Sequence, residues 1–170
     1  MSATVHVSLA EYMSTEYEPD CDYVDGRIEE RNVGKQRHSR TQSLLATYLT
    51  GREKQHGRKV LVEQRVQVSP SVVRIPDICL IDPADKNEVT QNPPALCIEV
   101  LSLDDRWSRV QDRLTDFLTF GVAMVWVVDP YSKRAWIATR KHPATLVDDG
   151  KLRCGELNLE IELSDILPED

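Results

Sequence analysis

Apolar side chains recur at helical spacing in two long stretches of the chain. The first stretch runs from about residue 35 to residue 55, and its apolar stripe contains Thr41, Leu44, Leu45, Tyr48 and Leu49. The second runs from residue 107 to residue 120, and its stripe contains Val110, Leu114, Phe117 and Leu118. Glycines at 57 and 121 are suited to end these helices. The pattern therefore predicts two amphipathic helices, and His38 lies on the stripe of the first.

Other segments have the composition or alternation of β-strands. They are residues 60–68, 75–81, 96–101, 122–128 and 135–139. The run at 122–128 is almost entirely apolar, which is typical of a strand buried on both faces. Residues 157–167 alternate less strictly and predict one more strand that leads into a short terminal turn.

The N-terminal part predicts a short helix and a hairpin. Ser8 precedes Glu11 at capping-box spacing, so a helix should begin near Leu9 and end before Pro19. Asp25 and Gly26 form a turn signal between two short extended pieces. With no repeat or linker, the order of elements predicts one α/β domain over residues 1–170, with a mixed central sheet flanked by helices.

Composition narrows the class of protein. The chain has 170 residues, of which 41% are hydrophobic and 29% charged, as in ordinary globular proteins. No apolar run approaches the ~20 residues of a membrane-spanning helix, and the N-terminus resembles no secretory signal, so we expect a cytoplasmic protein with no membrane contact. The net charge of −7 predicts that any DNA contact is local. The four cysteines lack zinc-ligand spacing, and Cys79 and Cys97 should be reduced core residues.

Two acidic residues lie where the pattern predicts burial. Asp77 lies within RIPDICLI and Glu99 within ALCIEVL. A buried carboxylate is costly unless it is paired, hydrogen-bonded or bound to a metal. We favour a pair on neighbouring strands that shares Mg²⁺ or Mn²⁺. The alternative is a structural pair held by backbone amides or by a buried arginine.

Several motifs together resemble a known family. Pro76-Asp77 is followed by Glu99, and the accompanying motifs are YVDG at 23–26, a helix opening at His38, IPDICLID at 75–82, IEVLS at 98–102 and GVAMVWVVDP at 121–130. Over roughly residues 8–140 the chain resembles the restriction-endonuclease (Uma-two-like) family of the PD-(D/E)XK nuclease superfamily. The resemblance implies a restriction-endonuclease-like core, Asp77 and Glu99 as metal ligands, and hydrolysis of DNA phosphodiesters by a metal-activated water.

The superfamily pattern has a lysine two residues after the glutamate, and this chain departs from the pattern at that position. Position 101 is leucine, and related family members look as if they carry the lysine on the following helix, four residues before an aromatic. That position here is Arg113, with Phe117 as the aromatic. Arginine can stabilise charge on the phosphate but cannot accept a proton near neutral pH.

Neighbouring residues have less specific roles. His38 matches a histidine of the family and could be a third ligand or orient a water, although a hydrogen-bonded core histidine is the more common case. Glu63 is a weaker candidate. Arg106 and Arg109 share a stripe with Arg113 and could line a phosphate path, or this face could be solvated and paired with Asp105, Asp112 and Asp116.

The sequence thus leads to two hypotheses. The first is a metal-dependent DNA endonuclease in which Asp77 and Glu99 hold Mg²⁺ or Mn²⁺, with Arg113 and His38 assisting catalysis. The second is an inactive nuclease-fold module for binding or dimerisation, motivated by Leu101, Arg113 and the acidic net charge. RNA or branched DNA is a third, weaker choice of substrate. A homodimer is expected in either case.

Overall fold

The computed structural model describes residues 6–32 and 34–168. The helices are α1 Leu9–Ser14, α2 Gln36–Thr50, α3 Glu53–His56, α4 Trp107–Phe120 and α5 Leu163–Ile166. The strands are β1 Asp22–Val24, β2 Arg27–Glu29, β3 Lys59–Val62, β4 Val66–Ser69, β5 Val72–Arg74, β6 Ile78–Ile81, β7 Leu96–Val100, β8 Met124–Asp129, β9 Arg134–Thr139, β10 Thr145–Leu146, β11 Lys151–Cys154 and β12 Leu159–Glu162.

A mixed six-stranded sheet lies at the centre, in the order β10-β9-β8-β7-β6-β3. β7 and β8 are parallel and the other neighbours are antiparallel. The crossover between β7 and β8 is α4, because parallel neighbours need a long connection. This mixed sheet flanked by helices confirms the predicted fold class.

Each face of the central sheet packs against a different helix. Leu45 and Leu49 of α2 pack with Ile98 and Trp126 on one face. On the other face, the stripe of α4 that contains Val110, Leu114 and Phe117 packs against Cys97, Val125 and Val127. The apolar run at β8 is therefore buried on both sides, as its sequence predicts. All four cysteines are buried and free.

A second sheet, in the order β2-β1-β5-β4, is antiparallel throughout. Its hairpin turns at Asp25 and Gly26, whose φ angles of 48° and 84° are both left-handed, as a type I′ turn requires. The Ser8 side chain caps α1 by accepting the Glu11 N–H. The predicted N-terminal helix and hairpin are both confirmed, and the hairpin brings Asp22 and Glu29 towards the site described below.

Three sequence predictions of continuous elements are wrong. The helix predicted over residues 35–55 ends at Thr50, and α3 follows as a separate turn ended by the left-handed Gly57. The strand predicted over 60–68 is divided between two sheets at Glu63, whose φ is 51°. The strand predicted over 75–81 begins only at Ile78, so Asp77 precedes β6 instead of lying inside it.

The C-terminal part forms a small third sheet. β11 and β12 pair as an antiparallel hairpin, and α5 follows β12. The predicted last strand and terminal turn are thus confirmed, while β10 and β11 had no prediction. Within the described ranges, every helix is too short or too polar to cross a lipid bilayer.

Candidate active site

Asp77 lies immediately before β6, and Glu99 lies on the neighbouring strand β7. Asp77 precedes β6, because Pro76 cannot donate to a ladder and delays the start of the strand. Glu99 lies within β7, two residues after Cys97, and therefore on the face covered by α4. Their exposed fractions are only 2% and 7%. The predicted burial of both carboxylates is confirmed.

The Glu99 carboxylate is held by Arg113 of α4. Nε of Arg113 donates to Oε2 at 3.0 Å and Nη2 donates to Oε1 at 2.8 Å, so the pair is bidentate. Nη2 also donates to the Ile75 carbonyl at 2.7 Å, and Nη1 donates to Asp22 at 2.6 Å. Four of the five N–H groups of a guanidinium are therefore occupied.

Asp22 of β1 joins this pair to the second sheet. Its Oδ2 accepts from Arg113 and, at 3.0 Å, from Nη1 of Arg74. Its Oδ1 accepts the backbone N–H of Ile75 at 3.0 Å. Arg74 in turn donates to Glu29 of β2 and Asp116 of α4. One buried ionic network thus fixes the hairpin and α4 against the site.

Asp77 is held by a different set of donors. Its Oδ2 accepts the Val100 N–H at 2.7 Å and its Oδ1 accepts Nη2 of Arg31 at 2.7 Å. The Nε2 atom of His38 lies 3.7 Å from Oδ1. Each carboxylate oxygen of Asp77 therefore has a positively polarised neighbour, and Oδ1 is the oxygen nearest to the histidine.

His38 is buried between Asp77 and the loop that follows β7. The Ser102 hydroxyl lies 3.5 Å from its Nδ1, and the Ser102 N–H donates to Asp105 at 2.6 Å. A side chain on Gly34 would bring a Cβ within 2.6 Å of the His38 ring, so the ring is packed against bare backbone. The ring therefore has a defined orientation, with Nε2 towards Asp77 and Nδ1 towards Ser102.

These side chains line one polar cavity of about 180 Å³. It is bounded by Asp22, Glu29, Glu30, Arg31, Asn32, His38, Arg74, Asp77, Glu99, Val100, Leu101, Ser102, Asp105, Arg109, Val110, Asp112 and Arg113. Seven of these residues are acidic and four are arginines, which gives the wall a formal charge of −3 with the histidine neutral.

Burial changes the protonation of the central pair. It raises the pKa of the Glu99 carboxyl to about 7 against the opposing effect of Arg113, and the Asp77 charge adds to the rise. Burial opposes the charge of Arg113, but the carboxylates of Asp22 and Glu99 raise its pKa above the usual arginine range. Arg113 is therefore a permanent cation beside a carboxyl that titrates near neutrality.

The structure brings the four sequence-predicted site residues Asp77, Glu99, Arg113 and His38 to one cavity. Glu63 is not among the lining residues and is exposed. Sequence reasoning missed Asp22, Arg31 and Ser102. Asp22 had one signal, an acid at the start of a predicted strand, whereas Arg31 follows that hairpin with no local pattern that marks it.

The alternative of a solvated face laced with ion pairs holds in part: Arg106 and Arg109 are exposed, but the described residues show no ion pair between them and the neighbouring acids. Asp116 accepts from Arg74 of β5, and Asp105 accepts from Ser102 and Asn32. Asp112 has no ion pair with the helix arginines in the part of the chain that the structure describes. The arginines of this region thus differ in role: the Arg113 side chain is only 14% exposed within the network, whereas Arg109 and the N-cap residue Arg106 are exposed.

Comparisons with known proteins agree with this architecture. A structure from Anabaena variabilis ATCC 29413, described as that of a putative nuclease belonging to DUF820, superposes with a TM-score of 0.83 and 21% identity. The match covers 94% of this chain and 97% of the other, and it shows the shared fold. No curated protein matches the chain. The family model Uma2, described as "Putative restriction endonuclease", matches residues 9–168. The chain therefore belongs to the Uma2 family of nuclease-like proteins.

Proposed function

We propose that this protein is a metal-dependent nuclease that hydrolyses phosphodiester bonds in DNA. The observation that carries the proposal is the pair of buried carboxylates at one polar cavity, Asp77 immediately before β6 and Glu99 on the neighbouring strand β7. Membership of a restriction-endonuclease family supports the same reaction class. Asp77 and Glu99 are the residues that would hold the cation.

The donor set fits a hard divalent cation. Mg²⁺ commonly uses one or two carboxylates and completes its shell with waters and substrate phosphate. Zinc sites need three or four protein ligands, and the described residues contain no group of three or more His, Cys, Asp or Glu side chains placed to hold a metal. Mg²⁺ or Mn²⁺ therefore fits better than Zn²⁺. When bound, such a cation would activate a water and offset phosphate charge.

The chain's own residues would orient this chemistry. The Val100 N–H fixes Oδ2 of Asp77, which leaves Oδ1 on the side of His38. The Ser102 hydroxyl lies 3.5 Å from Nδ1 of His38, and Nε2 lies 3.7 Å from Oδ1 of Asp77. His38 would therefore orient a water beside Asp77.

A second candidate function also has a specific observation in its favour. Arg113 covers both oxygens of Glu99, and Arg31 covers one oxygen of Asp77. This is the arrangement that the structural alternative predicts for buried carboxylates, because the guanidinium groups satisfy them without a metal. An inactive nuclease-fold module that binds a partner is therefore the competing proposal.

Calorimetric titration of Mn²⁺ and Mg²⁺ into the wild-type protein, with plasmid nicking assayed in the same buffers, separates the two candidates. The nuclease proposal expects saturable cation binding and nicking that EDTA stops. Cation binding without cleavage of duplex or single-stranded DNA or of RNA would favour the inactive module. Absence of cation binding would show that the carboxylate pair is structural.

Arg113→Lys is expected to raise Mn²⁺ affinity by about tenfold, since a lysine point charge cannot cover both oxygens of Glu99. Stability should fall, because several of the four hydrogen bonds of Arg113 are lost. Calorimetry measures the affinity, and thermal melting measures the stability.

Arg74→Lys is the matched control for Arg113→Lys. Arg74 shares Asp22 with Arg113 but donates to Glu29 and Asp116 instead of Glu99. The Arg74→Lys variant should be less stable than the wild type, with no gain in cation affinity. Equal affinities in both variants would show that Arg113 does not restrict access to Glu99.

A further inference from the structure

Four arginines line the cavity, and three of them contact carboxylates. Arg113 holds Glu99 and Asp22, Arg74 holds Asp22 with Glu29 and Asp116, and Arg31 holds Asp77. A guanidinium engaged in this way cannot turn to a new anion without leaving a buried carboxylate unpaired. Arg113 in particular has one N–H left of five.

Arg109 is the fourth arginine, and its situation differs. It lies in the first turn of α4, lines the cavity and is exposed. Its guanidinium makes no hydrogen bond or ion pair with any residue in the ranges 6–32 and 34–168. Asp105 lines the same cavity, but the Asn32 amide and the Ser102 N–H already occupy its two oxygens.

We propose that Arg109, not Arg113, binds the phosphodiester backbone of the nucleic acid at this cavity. The proposal rests on the proposed nuclease function and assigns the contact to the lining arginine that has no carboxylate partner within the described ranges. A planar guanidinium matches the two oxygens of a phosphodiester, and such a contact needs an available positive charge in a wall whose formal charge is negative. Arg113 is then a positioning residue that fixes Glu99.

The test is DNA binding measured without catalysis. Fluorescence anisotropy of a short labelled duplex and a short labelled single strand is recorded in EDTA, over a series of salt concentrations. Arg109→Gln should weaken binding about tenfold and lower the slope of log K against log salt by about one, as for one lost phosphate contact. Arg106→Gln is the matched control, because Arg106 is exposed at the N-cap of the same helix but does not line the cavity.

The control variant removes the same charge and should change affinity by less than about twofold. Equal losses in the two variants would overturn the assignment, since they would reflect net charge alone. Failure of the wild type to bind either DNA would overturn it as well.

Nicking with Mn²⁺ is assayed in parallel. A selective binding loss in Arg109→Gln without nicking by the wild type keeps the phosphate contact and removes the nuclease function. Nicking by the wild type, together with unchanged DNA binding in Arg109→Gln, keeps the nuclease function and removes the phosphate contact.

Discussion

Asp77→Asn should lower Mn²⁺ affinity by about 100-fold or more and reduce plasmid nicking below detection. The substitution keeps the size of the side chain but removes one of only two carboxylates at the proposed metal position. The amide oxygen can still accept the Val100 N–H, so the contact between this side chain and the backbone at the end of β7 survives. Calorimetry and the nicking assay measure the two effects.

Asp112→Asn is the control that removes the same charge from the same cavity. Asp112 lines the cavity but is exposed and has no side-chain hydrogen bond within the described ranges. The cation affinity and the plasmid-nicking rate of the Asp112→Asn variant should stay within about threefold of the wild type. Similar losses in both variants would mean that the cavity attracts cations by its general acidity, and Asp77 would lose its assigned role. Circular dichroism must show that both variants are folded.

The sequence predicts the elements whose periodicity is long and regular. The helix predicted over residues 107–120 has those bounds in the structure, because its apolar stripe is complete and Gly121 ends it with a φ of 129°. The hairpin at Asp25-Gly26 is equally local, since the turn type follows from residues that accept a left-handed backbone.

The sequence fails where a continuous apolar pattern changes sheets. Residues 60–68 alternate as one strand, yet β3 belongs to the central sheet and β4 to the second sheet. The break is at Glu63, a residue type that seldom adopts its φ of 51°, and only the tertiary contacts on each side enforce it. Local pattern records which residues are buried, but not the sheet in which they are buried.

The same limit applies to the site. Asp77 and Glu99 were predictable because a carboxylate in an apolar segment is conspicuous. Their partners were not, since Arg113 and Asp22 are 91 positions apart and Arg31 and Asp77 are 46 apart. Nothing local to an arginine on a helix distinguishes the buried Arg113 from the exposed Arg109. The assignment of phosphate binding to Arg113 from the sequence therefore gives way to the proposal for Arg109.

Asp22→Asn should lower the free energy of unfolding by about 3 kcal/mol, which corresponds to a fall of roughly 6–12 °C in Tm for a chain of this size. Asp22 is 2% exposed and accepts from Arg74, Arg113 and the Ile75 N–H. In asparagine, one of these acceptor oxygens becomes an NH₂ group that faces another donor. The lost charge also leaves two buried guanidinium groups with fewer counter-ions.

Urea unfolding followed by tryptophan fluorescence measures the effect, with Asp148→Asn as the control. Asp148 is exposed and has no side-chain hydrogen bond in the described part of the chain, so its substitution should change stability by less than about 0.5 kcal/mol. Equal stability of the two variants would contradict a supporting role for the ionic network. A large loss in Asp22→Asn alone would show that the N-terminal hairpin stabilises the site, because Asp22 is the residue through which β1 holds both Arg74 and Arg113.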